Sequence, residues 1–150
     1  MPFAEYAAEQ SLRDARARYF ETNALGEGGY DDKWVVLRAG TVPLGAFPNS
    51  PQRVRSVRLH DIHHVVAGYD TSLVGEAEIG AWELASGCAD HYAAWILNAL
   101  AVGIGIFLSP RAVLEAARRG RATRNLYDGE WDEAILDRSV GEVRAELGLA

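Results

Sequence analysis

The chain is poor in the residues that staple small folds. Cys88 is the one cysteine among 150 residues, so no internal disulfide can form. The fold must be held by its core, and the usage fits a reducing compartment such as the cytosol. Positive charge is also short: 15 Lys and Arg stand against 21 Asp and Glu, a formal net charge of −6. A free acidic chain lacks the basic surface that nucleic-acid binding needs. The opening MPFAEYAAEQSLRDARARYF has no apolar run behind a basic start, so no secretory leader is expected there. No internal repeat is visible. The segment YAAWILNALAVGIGIFL (92–108) carries no charge for 17 residues and is interrupted by Asn98, Gly103 and Gly105. A spanning helix needs about 20 apolar residues. The run is expected to be a buried core helix. Two sharper readings stand beside that one: the wall of an apolar ligand pocket, or a helix resting on a bilayer surface.

What is present argues for one compact domain, 1–150, with 49% hydrophobic residues. Apolar spacing predicts a mainly α, helical-bundle fold. A helix is expected over 4–20, with Leu12, Ala15, Tyr19 and Phe20 on one face and Gly26, Gly28 and Gly29 beyond its end. WVVLR (34–38) reads as a short strand or a further helix start. GTVPLGAFPNSP (40–51) holds three prolines and reads as a loop. A helix follows over 52–66 and stops at Gly68. The next is capped by Asp70 or Thr71 and ends at Gly87. Ser109-Pro110 opens another that runs to Arg119 and stops at Gly120. Residues 131–136 form a short amphipathic piece, and SVGE (139–142) matches a capping box.

Three of the four histidines fall in HDIHH, 60–64. On a helix, His60 and His64 lie one turn apart on one face, and Asp61 lies about 100° away. Histidines at i and i+4 share a metal in helical metalloprotease motifs for this reason. Glu76 returns from the next helix. Neutral imidazoles with carboxylates suit zinc, iron(II) or manganese, and such a set leaves a coordination position open. His63 is a rival to His64, because i, i+3 pairs also share a face. Glu83 lies seven residues after Glu76, placed either to hold a ligand in position or to sit in solvent. A polar helix corner that only caps and solvates is the plain alternative to a metal.

His60-Asp61-x-x-His64, eleven residues, then Glu76 resembles the His-Asp-x-x-His-x11-Glu signature of the ubiquinone biosynthesis protein Coq-four family. GYDTSLVGEAEIGAWELASG resembles that family's loop, glycine and helix around the glutamate, and RNLYDGEWDEAILDRSVGEVRAELGL resembles its ending. The likeness is strong over 53–87, weaker over 109–150 and poor over the first fifty residues. The resemblance implies an all-helical fold and a divalent metal on His60, Asp61, His64 and Glu76; spacing alone places His63 and Glu83 behind them. It also implies a place in ubiquinone-type quinone biosynthesis, at a membrane surface. There the protein would act on or hold a polyprenylated aromatic precursor, with C1 decarboxylation and hydroxylation as the chemistry. A groove for the prenyl tail is then expected along Trp95, Leu97, Leu100 and Ile104. The alternative is a non-catalytic lipid-binding scaffold with a structural metal.

The rest of the chain yields bland expectations. Arg118, Arg119, Arg121 and Arg124 form a basic cluster best read as a charged helix end. His91 with Asp90 reads as a cap. Cys88 has no neighbouring base and no nucleophile role. An HD-type phosphohydrolase would need a further histidine upstream of His60, and there is none. An uncharged, aromatic-bearing helix in so small a chain is compatible with a homodimer.

Overall fold

The computed structural model describes residues 6–39 and 41–149. The fold is mainly α. The elements run α1 (Leu12–Thr22), β1 (Trp34–Ala39), β2 (Val42–Pro48), α2 (Pro51–Ala67), α3 (Leu73–Ser86), α4 (Tyr92–Leu108), α5 (Pro110–Ala122), a 3-10 turn over Glu133–Asp137, and α6 (Val140–Leu147). Helix α3 lies against both α4 and α5, and α2 touches α1, α3, α4 and α6. Among the described residues no helix is long and apolar enough to cross a membrane.

Helix α2 is built by its ends. Ser50 accepts from the Arg53 amide at 3.2 Å, Pro51 occupies the first turn, and Gly68 closes the helix at φ 76°. Its orphan carbonyls do not face water. The buried Arg144 of α6 donates to Val66 O (3.0 Å) and Tyr6 O (3.1 Å), and Arg119 donates to Ala67 O (2.9 Å). Two cations thus close the negative end of the helix that carries the histidines. Leu59, Ile62, Val65 and Val66 bury its apolar face, each contributing about 1.5–3 kcal/mol. The capping box of α6 forms as expected, with Ser139 and Glu142 exchanging bonds.

Several expectations are corrected. Helix α1 begins at Leu12, not at residue 4 (residues 4 and 5 lie outside the described part). Ser11 caps it, and the turn before it is tied to α6's start through Val140 N–H to Gln10 O and Gly141 N–H to Ala8 O, both 2.8 Å. The loop expected after residue 40 is largely the strand β2, paired antiparallel with β1 and kinked by a bulge at Leu37/Arg38. Prolines are tolerated because both strands are edges. Ser72 caps α3, while Asp70 accepts from the Ser72 amide and hydroxyl. Gly120 does not stop α5. It lies inside the helix because any side chain there would strike the Trp82 carbonyl. Nor is α4 a buried core helix: only Ala94, Asn98 and Gly105 are buried, and its large apolar side chains face outward.

Candidate metal centre

The corner between α2 and α3 is tight because of one glycine. At Gly75, directly before Glu76, a methyl group would land on the Asp70 carbonyl and carboxylate. Glycine lets the chain close against itself and swing Glu76 back over α2. Gly75→Ala is expected to cost about 1–3 kcal/mol through overpacking. It should also weaken divalent-cation binding, read by thermal unfolding with and without added metal. An unchanged midpoint in both conditions would remove this role for Gly75.

The structure brings together His60, His64 and Glu76, whose ligand atoms all lie within 4.8 Å of one another. The two Nε2 atoms are 3.1 Å apart, with the rings nearly perpendicular. Glu76 spans them, Oε2 at 3.5 Å from His60 Nε2 and Oε1 at 3.4 Å from His64 Nε2. His64 is buried and Tyr19 stacks on its ring at 5.3 Å, while His60 and Glu76 open to solvent.

The tautomers follow from the partners. His64 Nδ1 faces the Tyr69 carbonyl at 2.9 Å, which only accepts, so Nδ1 carries the proton. His60 Nδ1 donates to Glu83 Oε1 at 2.9 Å. In the neutral rings both Nε2 lone pairs therefore point into the same space, beside a carboxylate. Lone pairs this close repel unless a cation lies between them. A proton can fill that role: burial weighs against a charged His60, but Glu83 and Glu76 together hold its pKa well above the usual imidazole value. Burial alone would raise the Glu76 carboxyl, yet hydrogen bonds from His60 and His64 hold it well below the usual range. A divalent cation fits the same donor set, two imidazole nitrogens and a carboxylate.

Glu83 is fully buried and is the hub behind the site. It accepts from His60, from His63 Nδ1 at 2.6 Å, from Asn98 Nδ2 at 2.5 Å and from the Tyr127 hydroxyl at 3.0 Å. Burial opposes its charge, but His60 and these donors win, and its pKa lies well below the usual range. His63 does not compete with His64. Its Nε2 accepts from the Leu126 amide at 2.9 Å, so the ring is a bridge from Glu83 to the chain after α5.

Asp61 lies outside the three-residue group. One position further round α2, it turns toward Tyr30, whose hydroxyl it accepts at 2.5 Å. Trp95, Leu100 and Ile104 stand on the exposed side of α4 and Leu97 is half-buried there, away from the histidines. The side of α4 that reaches the site is Asn98. His91 makes no capping bond. It is buried, with Nδ1 3.1 Å from Ser56 Oγ and its ring against Tyr127. Burial, then the Glu83 charge, push the Cys88 thiol up to about 12, which keeps it protonated.

Asn98 and Tyr127 are site residues that the sequence alone does not assign. Asn98 carried a signal: one amide in a 17-residue apolar run needs a buried partner. Tyr127 carried none. No protein-family model matches the chain, and no curated protein matches it.

Proposed function

We propose that the protein holds a divalent cation on His60, His64 and Glu76 and serves ubiquinone-type biosynthesis, acting on a polyprenylated aromatic acid at a membrane surface. The observation that carries the metal is the pair of facing Nε2 lone pairs, each fixed by an acceptor behind its Nδ1–H. The substrate class rests on the His60-Asp61-x-x-His64-x11-Glu76 signature. His60 and His64 would hold the cation with Glu76, and the solvent-open side next to Glu76 would admit an oxygen ligand. Once bound, the cation would supply Lewis-acid polarisation of a carboxylate or phenol, or, as iron or manganese, a redox couple for oxidative decarboxylation. The chain's own part is orientation. Glu83 and the Tyr69 carbonyl fix both rings.

A non-catalytic scaffold is the second reading, favoured by a ligand group drawn from two neighbouring helices. In that case the metal ties α2 to α3 and the protein holds lipid without turning it over.

The test is a metal titration of protein purified in chelator. Zinc, iron(II) or manganese(II) should bind at one equivalent and raise the unfolding midpoint, by about 2.7 kcal/mol of stability at a hundredfold excess over Kd. No binding by any of the three overturns the metal reading. Binding without turnover of a prenylated hydroxybenzoate, across all three metals, selects the scaffold.

A further inference from the structure

An apolar surface runs along the outer side of α4. The helix has no charged residue over Tyr92–Leu108. Its inner side is made of small or polar groups, and Gly105 is required there because a methyl would strike Ala77 and Val113. Close packing on that side leaves most of the large apolar side chains pointing out, with Leu97 and Val102 half-buried. Phe107 is 90% exposed and Tyr92 76%, and Ile96, Leu100 and Leu108 are more than half exposed. Side chains of this size offer roughly 150–250 Å² each when bare, so these five, at their exposures, present roughly 500–850 Å² of apolar surface. The largest patch on a typical monomer is about 300–600 Å². A standard interface takes about 800 Å² from each partner.

We infer that this face is the interface of a homodimer, with α4 packed antiparallel against α4 of a second copy about a two-fold axis at Leu100. Three features select a second copy. Tyr92, Ile96, Leu100, Ile104 and Leu108 form one ridge at i+4 spacing, symmetric about Leu100. A two-fold axis there sets Ile96 against Ile104 and Tyr92 against Leu108, the self-complementarity that an isologous contact needs. Gly103, with open space where its side chain would be, leaves a notch beside Leu100 for a partner's side chain. The third feature is charge. No like charges meet across the face, and antiparallel helices oppose their dipoles favourably. A lipid surface fits less well. Helices that lie on bilayers carry Lys and Arg along the polar side, whereas α4 has none and the chain's net charge of −6 opposes anionic headgroups.

The inference is independent of the metal. Sedimentation of the full chain at about 50 μM should give twice the monomer mass of 16.4 kDa. Leu100→Glu, at an exposed position, should give monomer with unchanged helical circular dichroism and at least a hundredfold weaker association. Leu100→Cys should form an oxidised dimer with itself, while Ile96→Cys should cross-link only when mixed with Ile104→Cys. Because Cys88 is buried, it does not interfere. A wild-type monomer overturns the inference, whether it stays free or floats with phosphatidylcholine vesicles, the latter assigning the face to lipid. A dimer that survives Leu100→Glu overturns it as well.

Discussion

Replacing Glu83 with alanine is expected to unfold much of the population at room temperature, or to cost about 3–5 kcal/mol where the fold survives. The carboxylate is fully buried and takes hydrogen bonds from four side chains: His60, His63, Asn98 and Tyr127. Alanine leaves all four without an acceptor in a space closed to water. Each unsatisfied buried group costs about 1–3 kcal/mol. A domain has about 5–15 kcal/mol in total. Urea unfolding followed by circular dichroism reads the loss. The sign of the pH dependence follows from the same contacts. Glu83 has a folded pKa held below its unfolded value. Its stabilisation is therefore present above about pH 4.5 and drains away as pH falls below it. Glu83→Gln keeps the shape and removes the titration, so its stability should change less across that acid window. A Glu83→Ala protein as stable as wild type would show that the hub is dispensable.

His64→Ala is expected to abolish divalent-cation binding under conditions where wild type takes up one equivalent. The ring is the buried member of the group, and its Nε2 is one of two nitrogen donors. Losing it leaves one imidazole and one carboxylate, too few for a selective site. Tyr19 also loses its stacking partner, so the variant should be destabilised by about 1–3 kcal/mol. His64→Gln separates the effects: it fills the space better, yet should bind no metal. Elemental analysis of wild type and both variants decides the point. Full metal content in either variant would remove His64 from the ligand set. Retained content in Asp61→Asn is expected, since Asp61 is engaged with Tyr30.

The sequence read most clearly where the information is local. Ser50, Pro51 and Gly68 bound α2 by chemistry that acts within one turn, and the SVGE capping box did the same for α6. The face shared by His60 and His64 follows from helical spacing, and the structure sets their Nε2 atoms 3.1 Å apart. Spacing left His63 open as a rival, because the deciding contact, the Leu126 amide, lies 63 residues away. Glu83 was ambiguous between solvent and core for the same reason. Its partners come from α2, α4 and the chain after α5. Three elements mislead when read from sequence. Hydropathy reported that α4 is apolar but not which way it faces, since Ala94, Asn98 and Gly105 pack inward in place of its bulk. The three prolines over 40–51 read as a loop, but a two-stranded hairpin is all edge and accommodates them. Gly120 read as a stop, whereas it is the place where two backbones come close.

That hairpin bears on how the protein behaves in a crowded solution. Trp34, Val36, Leu37, Val42 and Leu44 are exposed on it, and both of its strands have an open side. Such an edge is a template on which another molecule's extended segment can add, the first step toward insoluble fibrils. Two of the seven residues of β2, Pro43 and Pro48, carry no amide hydrogen. The bulge at Leu37/Arg38 twists the ribbon out of the flat shape that stacking demands. The prolines that hid the strand from the sequence are thus what keeps it from growing.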